Sequence, residues 1–281
     1  MRQVVIENPI LNSPFEEPTR HWRFTDEGIT NEILKGRRIS QYLVPVAQPR
    51  GRGKQQTFDS QLMQDRLEEN KFINDTRARV APWRKGGHRG VTRITERLLE
   101  YWTNPDRDKK LFFCQIEAAE TAIYLTEAAK KFGDVWIEEK IRAANDSSNP
   151  ELYRVALKMA TGSGKTIVMA MLIAWHALNK LANPQDARFS DTFLIITPGI
   201  TIRDRLRVLL PNDPSNYYRQ HDLLPPDLME ELHKAKILIT NFRNYSPEDG
   251  QGIDEGRKGW PERARERTWR GLRACLRAVE R

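Results

Sequence analysis

Residues 161–166, Thr161-Gly162-Ser163-Gly164-Lys165-Thr166, constrain the possible fold of this chain more than any other stretch. Two glycines two positions apart let the backbone curl with successive N–H groups turned inward, a concavity that suits an anion. From Lys165 to about Leu181 the residues are apolar and favour a helix. The curl therefore opens onto a helix N-terminus, whose dipole end also attracts negative charge. On the other side, Tyr153–Met159 alternates apolar and other residues and predicts a strand. Strand, glycine turn, Lys-Thr and helix in this order form a P-loop. In such a loop Lys165 reaches the β- and γ-phosphates of a nucleoside triphosphate, and the Thr166 hydroxyl ligates Mg²⁺. ATP and Mg²⁺ are the cofactors expected on this reading. Thr161, Gly162, Ser163, Gly164, Lys165 and Thr166 would form the binding set, with Lys165 and Thr166 in the chemistry. The strict form of the motif asks for Gly or Ala where this chain has Met159.

The rest of the middle region sets the fold class. Gln115–Lys131 is rich in Ala, Glu and Leu and stops at Gly133, which predicts a helix, and Trp136–Ala144 predicts a shorter one. Thr192–Thr197 and Lys236–Thr240 are short apolar runs that read as strands, with a helix at Ile200–Leu210 between them. Strands alternating with helices imply an α/β fold, a parallel sheet flanked by helices. Residues 1–105 are interrupted by Asn8-Pro9, Ser13-Pro14, Glu17-Pro18 and Gly86-Gly87 and read as a mixed accessory region. Helices are expected there at Asp59–Arg79, on the spacing of Leu62, Leu67, Phe72 and Ile73, and at Gly90–Trp102. Residues 106–246 form the P-loop domain. Residues 247–281 are rich in Arg and Gly and read as an irregular basic tail, possibly outside the parent fold.

Charge and cysteine content bound the setting. The net charge is +8, and residues 251–281 alone carry nine Lys/Arg against five Asp/Glu, half of that excess. A more local signal lies in residues 35–54, with six basic side chains and no acidic one. Such a segment either follows a phosphate backbone or is a solvated loop. The longest apolar run, Ile167–Trp175, has nine residues, too few to span a membrane. Cys114, read as a core residue, and Cys275 are the only cysteines and lie far apart, as expected in a reducing cytoplasm.

KMATGSGKT (Lys158–Thr166) resembles motif I of superfamily-two (DEAD/DEAH-type) helicases, most closely the restriction subunit of type III restriction enzymes. The resemblance runs from Leu111 to roughly Tyr245 and implies an incomplete RecA-like P-loop domain. It implies adenine recognition by Gln115, at the start of a helix upstream of the loop. FLIITPGITIRDRL (Phe193–Leu206) is similar to motif Ia, which implies DNA-backbone contacts from Thr197, Gly199, Thr201 and Arg203. AKILITNF (Ala235–Phe242) resembles the next strand, adding Thr240 and Asn241. Duplex DNA and a modification (methyltransferase) subunit are the partners so implied, with no membrane.

Hydrolysis needs a second acidic motif, usually Asp-Glu ending an apolar strand. Past the loop that spelling occurs only at Asp254-Glu255, after Gly250, Gln251, Gly252 and a single Ile. The expectation is therefore a truncated or frame-shifted N-terminal part of an ATP-dependent DNA helicase or translocase, inactive on its own. A non-catalytic nucleotide- or DNA-binding fragment is the first alternative, and another P-loop ATPase or kinase the second.

Overall fold

The computed structural model describes residues 9–25, 28–44, 66–148 and 153–241. The basic residues 45–54, Asp254-Glu255, Cys275 and the expected tail lie outside these. The chain forms two compact units, dividing between Gly87 and His88.

The first unit contains two antiparallel hairpins and a helix. β1 (Arg20–Thr25) pairs with β2 (Gly28–Lys35), and β3 (Gln41–Val44) pairs with β4 (Arg66–Glu69). α1 (Lys71–Lys85) follows β4 after Asn70 and buries Thr76, Val80 and Trp83. A helix expected over Asp59–Arg79 is thus replaced by a strand and a later helix, with residues 59–65 outside the described part. Pairing with β3 takes precedence over the helical spacing of Leu62, Leu67 and Phe72, because a strand's hydrogen bonds are supplied by a distant segment. Asn74 on α1 fixes the approach to β3. Its amide accepts from the Ser40 N–H at 2.8 Å and donates to the Ser40 carbonyl at 3.2 Å.

The second unit is built around one central helix. Its elements are α2 (Arg93–Thr103), α3 (Phe113–Ile123), α4 (Val135–Ser148), α5 (Lys165–Ala182), β5 (Thr192–Thr197), α6 (Ile200–Arg205), α7 (Tyr217–Gln220), α8 (Pro226–Leu232) and β6 (Lys236–Asn241). α3 runs on through a π turn (Tyr124–Ala128) and a 3₁₀ turn (Ala129–Phe132) to Gly133, whose φ of 79° ends it in the left-handed conformation. α5 packs against α2, α3, α7, α8 and the 3₁₀ turn at Leu206–Leu209. Its Ala170, Ala174 and Ala177, fully buried, let those helices approach closely, while Met171, Trp175 and Leu178 fill the core. α2 belongs to this unit because Leu98, Leu99 and Trp102 are buried and the Trp102 Nε1–H donates to the Leu223 carbonyl at 2.8 Å. The division between the two compact units thus falls before α2.

β5 and β6 are parallel and in register from Thr192↔Lys236 to Thr197↔Asn241, and α6 lies against both. A parallel sheet flanked by helices is the α/β arrangement of a partial RecA-like domain. The strand expected at Tyr153–Met159 is not formed; those residues join no strand. Part of the reason lies in Asn145. Its side-chain carbonyl accepts from the Arg154 N–H at 3.1 Å, and its Nδ2 donates to the Arg154 carbonyl at 2.9 Å. A side-chain amide thus occupies backbone groups that a neighbouring strand would otherwise use.

Candidate phosphate-binding loop and strand-end site

The glycine turn has the geometry its sequence requires. Gly162 and Gly164 take φ values of 79° and 78°, the left-handed region that glycine enters at little cost. Gly164 is also the residue preceding the eighteen-residue α5, so the curl ends at that helix's N-terminus. The loop closes on one of its own carbonyls. The Ala160 carbonyl accepts from the Lys165 Nζ at 2.8 Å, the Ser163 hydroxyl at 2.7 Å and the Ser163 N–H at 3.4 Å. Lys165 and Thr161 are exposed, and Thr166 sits partly exposed in the first turn of α5. The donor set fits a triphosphate with Mg²⁺: an exposed ammonium, a hydroxyl one residue on, and a backbone free of Cβ atoms at both glycines.

Gln115 is brought against this loop from 48 positions away. Its Nε2 donates to the Ser163 carbonyl at 3.0 Å, and its Oε1 accepts from the Phe112 N–H at 2.9 Å, capping the start of α3. The residue is only 2% exposed. Cys114 is half-buried, not a core residue, with its Sγ 3.9 Å from the same Ser163 carbonyl. Burial pushes its thiol pKa up, away from the thiolate.

A buried polar network behind the loop gave no sequence signal. Glu127, in the π turn, is 3% exposed. Its Oε1 accepts from the Thr95 hydroxyl at 2.6 Å and Trp175 Nε1 at 2.8 Å, and its Oε2 from the Thr92 N–H at 2.7 Å. Asn179 on α5 donates to the Thr95 hydroxyl at 2.9 Å and accepts from the Thr92 hydroxyl. Because a carboxylate only accepts, the proton directions in this ring are fixed, and α2 and the π turn are tied to α5.

The six residues expected to meet DNA gather at the carboxyl ends of β5 and β6, where ligands of open α/β sheets commonly bind. Their exposure differs. Thr197, Thr240 and Asn241 are buried, and the Thr197 hydroxyl lies 3.0 Å from the Gly199 carbonyl and 3.2 Å from that of Thr240. Gly199 precedes α6, Thr201 is exposed, and Arg203 is partly exposed and paired with Asp204 at 2.7 Å. Of the basic segment, Arg37 lies 3.8 Å from Glu17, and Arg38 stacks 3.8 Å over the Phe24 ring.

A two-glycine turn opening onto a helix and a parallel strand pair flanked by helices make up an α/β frame of the P-loop helicase fold. The family model of the type III restriction enzyme res subunit matches residues 108–259, just over half of the chain. The chain belongs to that family. Neither a curated protein nor a solved structure matches it. Among the described residues no helix is long and apolar enough to cross a membrane.

Proposed function

We propose that this chain carries the nucleotide-binding part of an ATP-dependent DNA helicase or translocase of the type III restriction kind. One observation supports this above the others: two left-handed glycines deliver the backbone onto the N-terminus of α5, with the Lys165 ammonium at the mouth of the curl. On this reading Lys165 leaves the Ala160 carbonyl for the β- and γ-phosphates, and the N–H groups of the first turn of α5 face the same anion. Thr166 would hold Mg²⁺, which neutralises charge between phosphate oxygens when bound.

DNA is proposed to meet the strand-end surface through its backbone, at Thr201, Arg203 and the Gly199 main chain. Thr197, Thr240 and Asn241 shape that end from beneath. A modification subunit as partner and a cytoplasmic setting complete the proposal.

The test is a titration of the 281-residue chain with ATP and Mg²⁺, set against Lys165→Ala. Charge-assisted hydrogen bonds contribute ~1.5–3 kcal/mol each, so the variant should bind ~10- to 100-fold more weakly. Equal affinity in the two proteins would refute the assignment of the loop.

A further inference from the structure

We propose that the first compact unit holds the sugar–phosphate backbone of duplex DNA on a basic surface built from the turn after β2 and from α1. The inference rests on DNA being the polymer this chain works on. The surface lies outside residues 108–259, which carry the family match.

Two basic runs meet there. Lys35, Arg37 and Arg38 surround Gly36 at the end of β2, with no acidic residue among them. α1 carries Lys71, Arg77, Arg79, Arg84 and Lys85, against Asp75 alone. Thr76, Val80 and Trp83 mark its buried stripe, so Arg77 and Arg84, seven positions apart, lie along one flank of that stripe. Glu17 brings the two runs together: its carboxylate is 3.8 Å from Arg37 and 3.8 Å from Arg84. Both separations are too long for hydrogen bonds, and one carboxylate serves two guanidiniums. Glu17 therefore screens this charge without cancelling it. Their chain neighbours Lys35 and Lys85 are exposed.

A helix face that merely meets solvent does best with mixed charge, because like charges repel along it. Five cations to one anion on α1, joined by three more from the β2 turn, carry a self-repulsion that a polyanion relieves. Phosphates spaced along a duplex supply that countercharge, and each one neutralised releases condensed counterions. Contacts of this kind carry no base information, so the surface holds DNA of any sequence. Its contribution is separate from that of the strand-end residues of the second unit.

The 281-residue chain is titrated into a fluorescein-labelled duplex of mixed sequence at several salt concentrations, followed by anisotropy. In the triple variant Lys35→Gln, Arg37→Gln, Lys85→Gln, the slope of log K against log salt should fall by about 1 per side chain, so by about 3. Glu17→Gln should act in the opposite direction, tightening binding about two- to fivefold at low salt. Misfolding cannot produce that gain. A triple variant with the parent's slope would overturn the proposal, and so would a Glu17→Gln chain that binds no tighter than the parent. If Arg203→Ala lowers the slope in the same series while the triple variant does not, the strand-end contact stands and only this surface falls. Vesicles of phosphatidylserine and phosphatidylcholine form a second arm. Vesicle binding lost in the triple variant, with duplex binding kept, would make the surface a membrane contact and overturn the proposal. A parent chain that binds no duplex at all would instead remove DNA from the proposed function, and this inference with it.

Discussion

Replacing Glu127 by alanine tests whether α5, the helix behind the loop, is anchored as the structure implies. The carboxylate accepts three hydrogen bonds, from Thr95, Trp175 and Thr92, at 2.6, 2.8 and 2.7 Å. Each charge-assisted bond contributes ~1.5–3 kcal/mol, but their losses do not simply add. Trp175 Nε1 already lies 3.1 Å from the Thr95 hydroxyl and keeps that partner. The Thr92 N–H loses its carboxylate acceptor, and a side-chain-sized cavity opens beneath α5. A net loss of roughly 3–5 kcal/mol is expected. For a chain of this size that corresponds to a melting temperature lower by roughly 6–20 °C. Glu127→Gln retains one acceptor oxygen but turns an amide toward the Thr92 N–H, so it should fall between parent and alanine variant. The assay is thermal unfolding followed by circular dichroism. If both variants melt within about 2 °C of the parent, the network does not hold the helices together and the reasoning fails.

Three further outcomes are expected. Burial between Trp175 and Phe189 lowers the His176 pKa to about 4, and its Nδ1 has no hydrogen-bond partner. The unfolded chain protonates this histidine near its ordinary pKa of about 6.5 while the folded chain does not, so stability present above that pH is lost as pH falls toward 4. His176→Leu should flatten that part of the stability–pH curve, by up to ~3 kcal/mol at its acid end, and parallel curves for the two proteins would contradict it. DNA binding should be independent of sequence and weaken steeply with salt; Arg203→Ala should lower the slope of log K against log salt by about 1, and an unchanged slope would remove Arg203 from the interface. Steady-state phosphate release by the chain should stay near background with or without DNA, because the residues before Asp254-Glu255 are Gly250, Gln251, Gly252 and a single Ile. DNA-stimulated release that disappears in Lys165→Ala would show that an acidic motif acts from elsewhere.

The features legible in the sequence are those whose cause is local. The curl at Gly162 and Gly164 follows from two residues that tolerate positive φ, and the helix after it from fifteen or so helix-favouring neighbours. β5 and β6 were readable because apolar runs of that length bounded by Pro198-Gly199 and by polar residues suit a buried strand. Tyr153–Met159 shows the limit of the same reasoning. Period-two alternation makes a strand possible, but only a partner completes one, and in this structure Asn145 takes the backbone groups of Arg154. Glu127 could not have been singled out. It is one of many helical glutamates in the sequence, and its role depends on Thr92, Thr95 and Trp175 arriving from elsewhere in the chain. Gln115 was singled out by resemblance, and its contact with the Ser163 carbonyl, made across 48 positions, leaves no local trace in the sequence.

The π turn joins these two unreadable features into one device. Gln115 reaches Ser163, and Glu127 reaches Trp175; in both pairs the partners are 48 positions apart. The run from α3 into the π turn therefore lies alongside the loop and α5 in parallel, at constant register. Residues twelve positions apart on an unbroken α-helix point about 120° away from each other. A π turn absorbs an extra residue and brings that angle back toward roughly 20°. With the turn at Tyr124–Ala128, one continuous helical run can present Gln115 to the glycine turn and Glu127 to the middle of α5 from the same face. The widened turn thus has a physical reason to exist: it lets a single element fix both the loop and the helix whose N-terminus the loop opens onto.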